Sequence, residues 1–271
     1  MAKRTLTLIS YALALLTLVS CVLSIINNEI YQDGDWANAQ WLGQDIVTIL
    51  IALPLLLLSF FKGIRREELR WTLVYSGILL YYVYTYSFFM FAAQLTVLYL
   101  FHLPIFGLSA IAFVITCIGL FGKHKVYMPE KKSLHTLISG YLILISLMIS
   151  FLWLNDIFSH LSDPGHLSDT PSGEAPLIIY SLDLAIIIPL MIIAAIKLLL
   201  RTSWGYLLTG LILTKTSTLG FALMAMGVSM YVQELNPDYF LIILWCIIGI
   251  IGTSLTLIFL KHLKIKDPGA S

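Results

Sequence analysis

The chain is short of charge. Only 11% of its 271 residues are Asp, Glu, Lys or Arg, whereas soluble domains carry about 25%. It also lacks any hydrophilic block large enough to fold as a separate soluble domain. Together these absences exclude a water-soluble globule, which would have no polar surface to show. Cysteine is scarce. Cys21, Cys117 and Cys246 lie in three different apolar runs, with no CxxC and no Cys/His cluster. Zinc, iron–sulfur and dithiol redox sites are therefore not expected, and the three read as small apolar core residues. HExxH, GxSxG and paired histidines at haem-ligand spacing are missing too. Lys215 resembles a retinal-binding lysine only in standing mid-run, since the residue four before it is Leu211. An enzyme is not the expectation, nor are a cofactor or a nucleic-acid partner.

What is present is apolar sequence, 59% of the chain. About 20 apolar residues suffice to cross the hydrocarbon of a bilayer as a helix. The runs fall at roughly 5–26, 43–61, 71–91, 95–121, 135–155, 177–200, 204–231 and 239–261. The fold class is thus all-α, a polytopic transmembrane helix bundle of about eight spans forming one domain over 1–271. The period-2 alternation of barrel strands is absent. The first run is too long for the apolar core of a signal peptide, and no A-x-A site follows it. The third and fourth runs are separated only by residues 92–96, which leaves a re-entrant arrangement open there. The loop at 156–176 holds Ser162-Asp-Pro-Gly and Thr170-Pro-Ser-Gly, turn composition that predicts mobility. Trp41, Trp71, Trp153, Trp204, Tyr206 and Tyr239 stand near run ends and read as an interfacial belt.

Charge supports the eight-span count independently of hydropathy. With the N-terminus inside, every Lys and Arg except Lys215 falls on inner segments, from Lys3 and Arg4 to Lys264 and Lys266. The outer loops carry Glu29, Asp33, Asp35, Asp156, Asp163, Asp169, Glu174, Glu234 and Asp238. A wrong count would scramble this segregation, so both termini are placed in the cytoplasm of a cell membrane.

The two halves, 1–130 and 131–271, resemble each other. Thr7-Leu-Ile-Ser opens the first run and Thr136-Leu-Ile-Ser the fifth. Asp45 then Pro54 in the second answer Asp183 then Pro189 in the sixth, and Trp71 opens the third as Trp204 opens the seventh. A four-plus-four duplication would give parallel repeats about an axis normal to the membrane.

A few polar residues stand where hydrocarbon makes them costly. Lys215 is about 16 Å from the inner surface at 1.5 Å per residue, where a lysine costs about 2.5–3.5 kcal/mol to insert. Thr214 and Thr218 share its face, and Asp183 on the neighbouring span is its expected partner. Asp45 is read either as a cap at the start of the second span or as part of an outward-facing acidic vestibule. His102 is either a proton relay or a hydrogen-bonded interior residue. Tyr75, Tyr82 and Tyr86 share one face of the third span. Tyr82 follows Trp71 by the same interval as Lys215 follows Trp204, so a true repeat would set Tyr82 and Lys215 facing each other across its axis. These residues would line the path of a small solute or ion. The alternative is a non-catalytic sensor, assembly factor or subunit with a membrane-protein partner. In either case the bilayer is the surrounding medium.

Gly43-Gln-Asp45, the tyrosine-rich third span and Trp204-Gly-Tyr206 followed by Lys215 resemble an uncharacterised group of bacterial polytopic membrane proteins. The resemblance covers most of the chain. It implies a bacterial inner membrane and gives no residue a role. The orientation is open to a direct check. Green fluorescent protein fused after Ser271 should fluoresce, and alkaline phosphatase fused there should be inactive; active phosphatase would reverse the assignment.

Overall fold

A computed structural model describes residues 2–123, 126–128, 132–163 and 176–265, apart from the side chains of Asn28 and Lys123. Eight helices are long and apolar enough to cross a membrane. They are α1 (Ala2–Ile26), α2 (Asp35–Arg65), α3 (Leu69–Phe91), α4 (Tyr99–Lys123), α5 (Lys132–Ser162), α6 (Leu177–Leu199), α7 (Ser203–Val232) and α8 (Tyr239–His262). The chain is an integral, multi-pass membrane protein of the all-α class. Most of the 156–176 loop falls outside the described residues.

The helices match the apolar runs, with two extensions. α2 starts at Asp35 rather than about 43, and α5 continues to Ser162. Helix geometry is set by backbone hydrogen bonding, so a helix runs on through polar residues once it leaves hydrocarbon. The connection between α3 and α4 is a short turn, not a re-entrant segment. The Gln94 amide donates to Asp33 Oδ1 at 3.0 Å, which ties the turn to the α1–α2 connection. At the opposite end β1 (Val126–Tyr127) pairs antiparallel with β2 (Lys264–Ile265). The ends are called acidic and basic after their loops.

Two helices lie at the centre. Of the apolar window of α3, 89% is buried, and of α7, 67%; the other six reach at most 44%. Every face of α3 must therefore pack against protein, and it does so on both sides. Leu73, Leu80, Tyr84 and Phe88 join a core built on α5–α8. On the other side Tyr75, Ile78, Tyr82 and Phe89 join a core built on α1, α2 and α4, the first core in chain order. Small residues allow the close approaches. A Cβ on Gly77 of α3 would lie 2.5 Å from Thr214 Cβ and 2.6 Å from the Leu211 carbonyl oxygen of α7. Gly43 meets the Ala225 backbone in the same way, and Gly220 meets Gly249.

Pro54 and Pro189 share a local solution. Each lacks the N–H that would bond the carbonyl four residues back. Each follows a π-helical turn, Thr48–Ala52 in α2 and Asp183–Ile187 in α6, which widens the helix at that point. Such turns concentrate at functional sites; Asp183 opens one of these two, and Asp45 lies three residues before the other. Pro104 sits inside a helix that stays α throughout.

The glycine contact makes a test. Gly77→Val should lower the melting temperature in detergent well beyond Gly140→Val, since overpacking costs about 1–3 kcal/mol or more and a Cβ at Gly140 meets nothing within 4 Å. Equal melting curves would show that α3 and α7 are not packed this closely.

Candidate functional site

Lys215 is fully buried. Among the described residues its ammonium has no hydrogen-bond partner, and it stands 3.7 Å from the centroid of the Tyr84 ring, an attraction to the negative face of the aromatic system. The neighbouring hydroxyls do not serve it. Thr214 donates to the Gly210 carbonyl and Thr218 to the Thr214 carbonyl, both within α7. Thr218, read in the sequence as sharing a polar face with the lysine, is thus committed to its own helix.

Asp183 is not joined to Lys215 directly. Tyr84 stands between them, with its ring against the lysine and its hydroxyl donating to Asp183 Oδ1 at 2.8 Å. The second carboxylate oxygen accepts the indole N–H of Trp153 at 2.8 Å. The expected ion pair is therefore an aromatic relay: amine, ring, hydroxyl, carboxylate. Geometry explains the correction. The lysine stem leaves α7 toward α3, and the tyrosine on α3 fills the space the stem would cross.

Asp45 lies in the first core and is 1% exposed. α2 begins ten residues earlier, so Asp45 does not cap it. Its carboxylate gathers three donors. Ser24 donates at 2.5 Å and Tyr31 at 2.6 Å to Oδ2, and the Cys21 thiol lies 3.5 Å from Oδ1. Tyr31 is in the α1–α2 connection, where burial and the nearby Asp45 carboxylate push its hydroxyl well above the usual phenol range. It remains a neutral donor at any physiological pH. Tyr31 also lines a depression at the acidic end with Glu29, Asp35, Asn38, Gln233 and Leu235. Asp45 therefore sits one tyrosine below an acidic mouth.

Tyr82 does not meet Lys215. It points into the first core, stacked on Tyr86 with ring centroids 5.7 Å apart. The hydroxyls of both, with Thr17 Oγ1 and Gln44 Oε1, are buried without a partner. The Gln44 amide is turned the other way, toward Tyr81 and Thr85. His102 packs against Phe89 and Tyr86 and hydrogen bonds to Ser20 Oγ at 3.1 Å, as an interior residue does.

The structure thus separates the six sequence candidates. Lys215 and Asp183 gather at Tyr84, on the side of the α5–α8 core. Asp45, Tyr82 and His102 gather around α1 and α3. Thr218 joins neither. The sequence reading missed Ser24, Tyr31, Tyr84 and Trp153. Trp153 was assigned to the interfacial belt because the fifth run ends near it. The indole is half-buried and turned toward α6, where it reaches Asp183.

The donors to the two carboxylates stand at matching sequence intervals. Ser24 follows Thr7 by the interval at which Trp153 follows Thr136, and each donates to its own half's aspartate. Gly77 and Gly210 stand equally far after Trp71 and Trp204, and both face the α3–α7 contact. The turns before α3 and α7 each hold a left-handed residue, Glu67 (φ 62°) and Arg201 (φ 53°).

Comparison with known protein families, curated proteins and solved structures finds no match to this chain.

Tyr84→Phe keeps the ring over Lys215 and removes one of the two donors to Asp183. It should destabilise by about 1–2 kcal/mol, and Tyr84→Leu, which removes the ring as well, should destabilise more. Identical melting temperatures for the two variants would show that the ring contact contributes nothing.

Proposed function

We propose that the protein binds or transports a small solute or ion through a polar intramembrane site, in a bacterial cell membrane with the basic end in the cytoplasm. The observation that carries this reading is Lys215, buried at the centre of the bundle with an aromatic ring for company and no hydrogen-bond acceptor. A fixed structural lysine would be paired, because breaking or omitting a buried partner is strongly unfavourable. Ionisable groups inside a membrane mark pathways and relays where no structural partner accounts for them.

Two further features favour the reading. The equivalent contacts above support a chain built of two parallel halves, and repeats of this kind place sites near the midplane at their interface. Lys215 is on α7, one of the two helices that form that interface. Tyr84 then gives the site a means of communication. A change of charge at Asp183 alters the Tyr84 hydroxyl, the ring it belongs to and the amine above that ring, without any large movement.

The reading is tested by the stability of Lys215→Met, measured by thermal unfolding in detergent. Methionine fills similar volume without the charge, and replacing buried charge by packed apolar groups is neutral or stabilising by about 1–4 kcal/mol. The melting temperature should stay the same or rise. A fall of several degrees would make the lysine a structural member of the core and remove the main support for a transport site.

A further inference from the structure

The orphaned oxygens of the first core are a second feature, remote from Lys215. Thr17 and Tyr82 are neighbours across α1 and α3, and Tyr86 neighbours Cys21, whose thiol is on Asp45. Tyr82 and Tyr86 are stacked, and the Tyr81 ring that contacts Tyr82 is held by Gln44. Asp45, Thr17 and the two stacked tyrosines therefore form one contiguous buried cluster around Cys21, with Gln44 beside it through Tyr81. Asp45, Gln44, Thr17, Tyr82 and Tyr86 are at most 1% exposed. The last four have atoms without a partner, although buried polar groups are almost always paired.

Charge points the same way. Asp183 has the Lys215 amine across the Tyr84 ring. Asp45 has neutral donors, Ser24, Tyr31 and Cys21, and among the described residues no lysine or arginine acts on it. Lys215 and Tyr82 occupy matching positions after Trp204 and Trp71. Where the second half carries a built-in cation, the first half carries the Tyr82 hydroxyl, with the Thr17 hydroxyl beside it. An oxygen-rich cluster with one carboxylate, bordered by the Cys21 thiol, suits a hard cation of single charge. No group of three or more His, Cys, Asp or Glu suited to a divalent or transition metal occurs among the described residues.

We propose that Asp45, Gln44, Thr17, Tyr82 and Tyr86 form a binding site for a dehydrated alkali cation such as sodium, entered from the acidic mouth past Tyr31. The site takes the place in the first half that the Lys215 amine fills in the second. The proposal deepens the ion-path reading by naming the ion class, and rests on it only for the role of the cation, not for its binding.

The test uses the purified full chain in detergent, unfolded thermally while sodium chloride replaces choline chloride at constant ionic strength and fixed pH, up to about 200 mM. Sodium should raise the melting temperature saturably by several degrees, with choline inert. Asp45→Asn should abolish the rise. Tyr86→Phe, a milder change, should shift the half-saturating concentration upward by about tenfold and covers the case in which Asp45→Asn does not fold. Lys215→Met should keep the sodium response, so that failure of the transport reading and failure of this site are told apart. Sodium, potassium and lithium all behaving like choline would overturn the proposal and leave the cluster to water. A sodium response unchanged in both Asp45→Asn and Tyr86→Phe would place the cation elsewhere and overturn it equally.

Discussion

At Gly77 the backbones of α3 and α7 come so close that a single methyl group would strike the Thr214 side chain and the Leu211 carbonyl. In lipid there is no hydrophobic drive to bring helices together, so such contacts rest on packing, and small residues make packing possible. The rest of the arrangement follows from this one. Because α3 and α7 are pressed together, both are enclosed. Because they are enclosed, α3 can carry five tyrosines and α7 a lysine without exposing any to acyl chains. α2 and α6 then bring their aspartates against this polar centre, while α1, α4, α5 and α8 present apolar faces outward.

Much of the fold was readable in the sequence because hydrocarbon thickness fixes the length of a span and charge segregates between its ends. The helix starts and stops were less readable where helices outran the hydrocarbon, as α2 does from Asp35 and α5 does to Ser162. Trp153, near the end of the fifth apolar run, is half-buried, and its bond to Asp183 was hidden because the run alone does not show which way the indole faces. The candidate site was legible only as a set of costly residues. Lys215 announced itself, since few residues are so unfavourable at that depth. What surrounds it did not, because Tyr84 is more than a hundred positions away in sequence and one tyrosine among five. The partners of Asp45 were hidden for a different reason: Ser24, Tyr31 and Cys21 are unremarkable alone and acquire meaning only when α1 folds against α2.

The two aspartates are held in similar ways and yet differ in electrostatics. Asp183 opens a widened turn that precedes a proline and Asp45 lies three residues before another, and each takes a donor from the preceding helix, a serine of α1 for Asp45 and a tryptophan of α5 for Asp183. The framework is held by glycine contacts and left-handed turns, which tolerate little change. The side chains around the carboxylates are freer, and there the halves differ: hydroxyls and a thiol about Asp45, aromatic rings and an amine about Asp183.

The hydrogen bond from Trp153 to Asp183 turns a structural detail into a built-in optical reporter. An indole whose N–H donates to a carboxylate emits at a wavelength and intensity that depend on the charge it faces. The chain has six tryptophans, and with the other five changed to phenylalanine the emission of Trp153 alone would follow the electrical state of the second half of the bundle in real time, without a label, while anything that binds does so.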